Sequence, residues 1–209
     1  MTDSDTGVNS FSEHRQHTHA ELVPSQTAVI VVDMINEFLE EGGLMVLATG
    51  RALYGPLQRL VDSAHASGMP VIWLRDEHPN LDDPEFRKRT VHCLAGTWGT
   101  QIVAALHPGP ADAILPKSSY NGFFRTPLHD LLQSKGITTL IITGVVTNIC
   151  VRSTTHDAFF LGYNVLVPHD CVSATSEREQ ASSLYDIDTH YGTVSSLEQI
   201  LNLLVHEVP

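Results

Sequence analysis

The chain has 209 residues, of which 42% are hydrophobic and 17% are charged, and its formal net charge is −12. This composition is typical of a globular protein that is long enough to bury its own core. The excess of acidic residues argues against a nucleic-acid partner, because such a partner requires a basic surface stripe.

The cysteines and the N-terminal residues indicate the compartment. Cys93, Cys150 and Cys171 are too few, and odd in number, for a disulfide framework. No apolar run is long enough to cross a membrane, and residues 1–20 lack the apolar core of a signal peptide. We therefore expect a cytoplasmic protein without membrane contact. Residues 1–20 are rich in Ser, Thr, Asp and His and are interpreted as a flexible arm or as a segment that wraps onto a neighbouring subunit, followed by a single domain over 21–209.

Short apolar runs alternate with amphipathic stretches along the chain. The runs are rich in Val, Ile and Leu, as in strands that are buried on both faces of a parallel sheet. They cover residues 28–32, 71–74, 113–115, 139–142, 164–167 and 193–194. Helical patterns cover residues 51–66, 100–106, 127–134, 148–161, 177–191 and 196–205. This alternation predicts an α/β protein with three layers, α/β/α, around a six-stranded, mainly parallel, Rossmann-like sheet.

Residues that can carry chemistry follow several predicted strands. Asp33 follows the first strand, Lys117 follows the third, and the segment GVVTNIC, which ends at Cys150, follows the fourth. The carboxyl ends of parallel strands meet at one edge of a sheet, where ligands bind, so we expect the three side chains to lie within contact distance. We expect Lys117 and a helix N-terminus to lower the pKa of the Cys150 thiol. Asp33 could then accept the thiol proton and pass it to a leaving amine.

Each of these residues also has an ordinary structural explanation. A cysteine at a strand–helix junction is usually packed in the core, an aspartate after a strand often caps a helix, and a lysine there is usually on the surface. Only the combination of Asp33, Lys117 and Cys150 favours a catalytic interpretation.

Five segments carry a resemblance to a known family. They are VVDMINEF at 31–38, RDEHPN at 75–80, VHCLAGTWG at 91–99, PKSSYNGFFRTPL at 116–128 and GVVTNICVRSTTHDAFFLGY at 144–163. In this order they resemble the isochorismatase-like cysteine hydrolases, which include nicotinamidases, N-carbamoylsarcosine amidases and ureidoacrylate amidohydrolases. The resemblance implies a catalytic triad of Asp33, Lys117 and Cys150 that cleaves the C–N bond of a small carboxamide or ureido substrate through a thioester. It also implies an oxyanion hole from the N–H groups of Val146 and Cys150, with a non-proline cis peptide bond before Val146.

The resemblance also implies a metal site. Asp76 and His78 match the Asp-x-His of nicotinamidases, His92 matches a later histidine, and Glu85 is placed to act as a further ligand. Two imidazoles and one or two carboxylates suit Zn, Mn or Fe. Relatives without a metal keep parts of this pattern, and there Asp76 and His92 would hydrogen-bond a loop, so both interpretations stay open. No organic cofactor is expected.

The sequence leaves the substrate open. Nicotinamidases usually have Thr-Asp where this chain has Thr147 and Asn148, and the segment around residues 117–128 looks closer to ureidoacrylate amidohydrolases. The expected substrate-binding residues are Phe38, Tyr120, Phe123, Phe124 and Asn148. Core packing explains Phe123 equally well. Arg89 or Arg125 could pair with a substrate carboxylate, because a guanidinium fork fits that group, although a surface role suits either one alone.

A vinyl ether hydrolase and a non-catalytic binding module are the alternative functions. Hydrolysis of a vinyl ether such as isochorismate occurs in similar proteins that lack the nucleophilic cysteine, and Cys150 counts against it. A flavodoxin-like or nucleotide-binding module is disfavoured by the lack of glycine-rich phosphate-binding motifs.

Cys93 and Cys171 are interpreted as buried and inert. Relatives are usually homo-oligomers, so we expect a dimer or a tetramer.

Overall fold

The computed structural model describes residues 22–205, and the predicted arm over residues 1–20 lies outside the described residues. Strands form one sheet in which every pairing is parallel. The strands are β1 (Thr27–Val32), β2 (Val71–Asp76), β3 (Ala113–Lys117), β4 (Thr139–Val145), β5 (Asn164–Pro168), β6 (Val172–Ser173) and β7 (Thr193–Ser195). Their order is β3-β2-β1-β4-β5-β7, and β6 pairs with the end of β4. The six predicted strands are confirmed, and β6 is an unpredicted addition of two residues.

Helices connect the strands. They are α1 (Asn36–Leu39), α2 (Tyr54–Ala66), α3 (Leu128–Ser134), α4 (Arg152–Phe160), α5 (Glu177–Asp186) and α6 (Leu197–Val205). Gly68, Gly136 and Gly162 follow the ends of α2, α3 and α4 and have φ angles of 71°, 68° and 87°, a left-handed conformation that is common just after a helix. No helix among residues 22–205 is both long enough and apolar enough to span a bilayer.

The helix predicted over residues 100–106 is wrong. Only the 3-10 turn Trp98–Thr100 forms there, and an irregular segment follows it. Val103 and Leu106 of this segment are nevertheless buried in the core. The spacing of apolar residues that suggested a helix therefore reflects a loop that packs onto the sheet.

Both faces of the sheet are covered, which confirms the predicted three layers. Every residue of β1 is buried, and alternate side chains of a strand point to opposite faces. Val29 and Val31 pack in a cluster that includes Leu57 of α2 and Ile200 of α6. The intervening residues of β1 pack with apolar side chains of α3 and α4, such as Leu132. The central strands thus lie between two helical layers.

The ends of β1 to β4 bring several polar side chains to one edge of the sheet. Asp76 at the end of β2 is in register with Lys117 at the end of β3. Val32 at the end of β1 is in register with Gly144 of β4. Gly144 has a φ angle of 97°, and a Cβ atom there would collide with the backbone of Val32. Glycine at this position therefore allows β4 to continue close beside Asp33.

Candidate active site

The three side chains predicted to form a triad lie together at this edge. The Nζ atom of Lys117 is 2.8 Å from Oδ2 of Asp33 and 3.9 Å from Sγ of Cys150. It also donates a hydrogen bond of 3.1 Å to the carbonyl oxygen of Ser119, and it lies 3.6 Å from Oδ1 of Asp76. The side chains of Asp33, Asp76, Lys117 and Cys150 are all buried. One buried ammonium group therefore contacts a thiol and two carboxylates.

Local backbone structure presents the acid and the thiol. Asp33 follows β1 in a left-handed conformation, with a φ of 51°, and its N–H donates to the carbonyl of Leu74. Cys150 belongs to the π-helical turn Thr147–Val151, which leads into α4. Such turns are rare and occur frequently at functional sites. The peptide bond between Val145 and Val146 is cis, as the resemblance implied.

Burial controls the protonation of the acid. Burial raises the pKa of Asp33 from 3.8 to about 6, although the neighbouring Lys117 ammonium acts in the opposite direction. Burial alone would lower the pKa of Lys117, but Asp33, Cys150 and Asp76 together hold it well above its usual value. Lys117 is therefore an ammonium group, and Asp33 changes its charge close to neutral pH.

The expectation that the Cys150 thiol has a lowered pKa is wrong. Burial raises its pKa well above the usual value, Lys117 lowers it, and the charges of Asp33 and Asp76 raise it further. Cys150 therefore rests as a neutral thiol, because the adjacent ammonium does not outweigh burial and two neighbouring carboxylates.

A second group of polar side chains lies directly beside the first. Asp76, His78 and His92 are buried, and their possible ligand atoms all lie within 4.8 Å of one another. Oδ2 of Asp76 is 3.6 Å from Nε2 of His78 and 3.3 Å from Nε2 of His92. The carboxylate oxygens of Glu85 lie 3.5 Å from Nε2 of His92 and 4.0 Å from Nε2 of His78. The residues predicted to bind a metal therefore converge.

The hydrogen bonds of the imidazoles test whether a cation fits. Nδ1 of His92 is 2.7 Å from the carbonyl oxygen of Thr90, so this nitrogen carries a proton. Nδ1 of His78 lies 3.1 Å from Oδ2 of Asp83. The Nε2 atoms of both imidazoles are buried without a hydrogen-bond partner and face the Asp76 carboxylate. In neutral imidazoles each of these Nε2 atoms would carry a lone pair that faces an anion. A divalent cation placed between the two Nε2 atoms and the carboxylate of Asp76 would satisfy all three groups.

The charge balance agrees with this fit. Burial lowers the pKa of His78, but Asp76 and Asp83 overcome it and raise the pKa to about 9. Burial would raise the pKa of Asp76, yet Lys117 and the imidazoles hold it well below its usual range. The group therefore attracts positive charge, which either protons or a divalent cation can supply.

The predicted pocket residues have different surroundings. Tyr120 and Phe124 line a pocket of about 510 Å³ that also includes Glu85. The ring of Phe38 lies beside the imidazole of His92, with 6.1 Å between their centroids. These positions suit contact with a ligand, and the role of each residue in binding stays a prediction.

Phe123 and Asn148 make structural contacts instead. Phe123 is buried in the core and stacks on Tyr163, with 5.9 Å between the ring centroids. Oδ1 of Asn148 accepts a hydrogen bond of 3.2 Å from the N–H of Thr175. A contact of either residue with substrate stays a prediction.

Several contacts of the site were missed in the sequence. Asp83 lies next to His78, the Thr90 carbonyl orients His92, and the Ser119 carbonyl accepts from Lys117. Backbone carbonyls have no sequence signature, since any residue supplies one. Asp83 could have been found only as a further acid near Glu85.

Comparisons with known proteins agree with this geometry. The profile of the isochorismatase domain matches residues 27–199. The chain belongs to the isochorismatase family. This confirms the family suggested by the sequence motifs, and it makes the protein an isochorismatase-family hydrolase.

Three solved structures of hydrolases share the fold over most of the chain. A cysteine hydrolase from Pseudomonas syringae pv. phaseolicola is 26% identical, with 92% of this chain and 99% of that chain covered and a TM-score of 0.86. N-carbamoylsarcosine amidase from Thermoplasma acidophilum is 31% identical, with coverages of 83% and 97% and a TM-score of 0.76. Pyrazinamidase from Pyrococcus horikoshii in complex with zinc is 26% identical, with coverages of 82% and 99% and a TM-score of 0.75.

Proposed function

We propose that this isochorismatase-family protein is a cysteine amidohydrolase that cleaves the C–N bond of a small carboxamide or ureido substrate. The observation that carries the proposal is the buried contact of Lys117 with both Asp33 and Cys150. Burying charged groups rarely adds net stability, so a structural role alone explains this arrangement poorly. Amidase names among the structural neighbours support the same reaction type.

Each residue of the proposed triad has a defined step. Asp33 accepts the proton of the Cys150 thiol while sulfur attacks the carbonyl carbon, because the raised pKa of the thiol prevents a preformed thiolate. The C–S bond forms, and the negative charge that develops on oxygen is bound by the backbone N–H groups of Val146 and Cys150. Asp33 then protonates the leaving nitrogen, the C–N bond breaks, and ammonia or an amine departs from the thioester.

Water completes the reaction. It attacks the thioester carbonyl while Asp33 accepts its proton, the C–S bond breaks, and Asp33 returns the proton to the sulfur of Cys150. A pKa of about 6 lets Asp33 act as both acceptor and donor near neutral pH. Lys117 keeps its charge throughout and holds the acid beside the thiol.

We propose that Asp76, His78, His92 and Glu85 hold a divalent ion, namely Zn, Mn or Fe. Such an ion would supply a Lewis acid that binds a heteroatom of the substrate. Asp76 faces the two imidazoles through Oδ2 and Lys117 through Oδ1. It therefore links the proposed metal ligands, called the metal group below, to the proposed triad. No organic cofactor is part of the proposal.

We expect protein purified without a polyhistidine tag to contain about one equivalent of a divalent metal per chain. His92→Ala removes a buried ligand, so its metal content should fall to below about a tenth of an equivalent after dialysis. His169→Ala, a change at an exposed histidine, is the control and should keep the metal. Elemental analysis measures all three proteins. A wild-type protein that binds no added Zn, Mn or Fe would contradict the metal proposal.

A panel of small amides tests the reaction. We expect ammonia release from at least one of nicotinamide, ureidoacrylate, N-carbamoyl amino acids, biuret and maleamate, and no pyruvate release from isochorismate. The reason is that the thiol at residue 150 is placed for acyl transfer. Pyruvate release from isochorismate, with no ammonia from any amide, would replace the amidohydrolase proposal by vinyl ether hydrolysis. A cytoplasmic location and a dimeric or tetrameric assembly stay predictions.

A further inference from the structure

The pocket of about 510 Å³ beside the metal group is lined by Lys88, Arg89 and Arg125. The whole chain has 12 lysines and arginines against 24 acidic residues, so a quarter of its cationic side chains converge on one pocket. The acidic residues of the same pocket, Asp83 and Glu85, lie against the imidazoles of His78 and His92. Glu85 and Arg89 both interact with the hydroxyl group of Tyr120, so the acidic and the basic side chains of the pocket meet at this residue.

The three cations have no carboxylate partner among residues 22–205, where the ion pairs involve other side chains. The guanidinium of Arg125 lies over the ring of Phe124, 4.9 Å from its centroid. Arg89 interacts with the hydroxyl group of Tyr120. Neither contact neutralises a positive charge, so the guanidinium groups keep donors for an anionic ligand.

The backbone of Arg125 is also unusual. Its φ angle is 57°, in the left-handed region that residues other than glycine rarely adopt. Two other non-glycine residues in the described chain share this conformation, Asp33 in the proposed triad and Cys93 beside His92, a proposed metal ligand. Residues held in this region cluster at functional sites, where the surroundings maintain them. Arg125 therefore resembles the residues of the site more than an ordinary surface arginine.

Two residues of the pocket lining also contact the proposed reaction centre. Ser119 lines the pocket, and its carbonyl oxygen accepts the hydrogen bond from Nζ of Lys117. Glu85 lines the pocket and also lies 3.5 Å from His92. The three cations therefore lie in a pocket that borders both the proposed triad, through Ser119, and the proposed metal ligands, through Glu85.

We propose that Arg125, together with Arg89 and Lys88, forms a carboxylate-binding subsite, so that the preferred substrate is an amide with a carboxylate at its far end. The inference rests on the proposed amidohydrolase function. A planar guanidinium group binds a carboxylate through two parallel hydrogen bonds. Arg125 is thereby a specificity-determining residue.

Matched substrates test the subsite. Glutaramate and pentanamide have the same carbon chain and the same amide, and they differ in a terminal carboxylate against a methyl group. We expect wild-type protein to hydrolyse glutaramate with the higher kcat/KM. Arg125→Gln should lower kcat/KM for glutaramate by roughly 10- to 100-fold, as expected for the loss of a charge-assisted contact. The same variant should change kcat/KM for pentanamide by less than about twofold. Arg89→Gln should lower it for glutaramate in the same direction.

Two controls and a binding measurement separate the possible results. Arg178→Gln, a change at an arginine with an 89% exposed side chain in α5, should have no effect, and Arg125→Lys should recover part of the preference. Calorimetric titration of the Cys150→Ala protein should show tighter binding of glutaramate than of pentanamide, and Arg125→Gln should remove this difference. Equal binding of the two probes, or binding of neither, overturns the subsite. Preferential binding of glutaramate without ammonia release from any amide instead overturns the amidohydrolase function and leaves the subsite intact.

Discussion

Cys150→Ala is expected to lower kcat for amide hydrolysis by about 10,000-fold or more, because no other group is placed to form the thioester. The side chain is buried in the core layer that contains α3 and α4. Its replacement removes only one sulfur atom, so we expect the free energy of unfolding to fall by less than about 1.5 kcal/mol. Ammonia release and urea denaturation measure the two effects separately.

Cys171→Ala is the matched control for this variant. Cys171 is fully buried in the other core layer, and burial raises its pKa to about 12. It lies outside the contacts of Lys117, so its loss should cost similar stability while kcat stays within about threefold of wild type. If Cys150→Ala retained as much activity as Cys171→Ala, the nucleophile would have to be another group.

The sequence could predict the layers of the fold because burial leaves a simple pattern. β1 and β4 are buried along their whole length, and their runs of Val, Ile and Leu are typical of central parallel strands. Two-residue β6 leaves no such run. The segment after Thr100 has helical spacing but packs as an irregular loop, because its buried residues satisfy the core without forming a helix. Periodicity therefore predicts burial better than it predicts backbone conformation.

The candidate site could be predicted as far as topology determines it. Parallel strands place Asp33, Asp76 and Lys117 at one edge, and the register between β2 and β3 then brings Asp76 beside Lys117. Charge balance at that edge depends on distances and burial, which a sequence does not contain. The thiol pKa was therefore predicted in the wrong direction, since the two carboxylates and burial act together against one ammonium. The left-handed conformation of Arg125 likewise has no sequence signal, because arginine is not typical of that region.

Lys117→Met is expected to lower the free energy of unfolding by about 3–5 kcal/mol and to abolish detectable hydrolysis. Methionine keeps most of the aliphatic length but removes the ammonium group that lies 2.8 Å from Asp33 and 3.6 Å from Asp76. Two buried carboxylates would then lack their shared counter-ion. The pKa of Asp33 should rise further, so that Asp33 stays protonated at neutral pH and does not accept the thiol proton.

A double variant separates the loss of charge balance from the loss of chemistry. The double variant combines Asp33→Asn with Lys117→Met, so it lacks both the carboxylate at residue 33 and the ammonium group. Its free energy of unfolding should therefore be higher than that of Lys117→Met alone by about 1–3 kcal/mol. Hydrolysis should stay absent, because the double variant lacks the proton acceptor. Lys135→Met, a change at an exposed lysine after α3, should alter stability by less than about 0.5 kcal/mol. Urea denaturation of wild type, Asp33→Asn, Lys117→Met and the double variant gives the coupling between Asp33 and Lys117, with Lys135→Met as the surface control. If Lys117→Met were as stable as Lys135→Met, the ammonium would not be the group that allows two carboxylates to remain buried at this edge of the sheet.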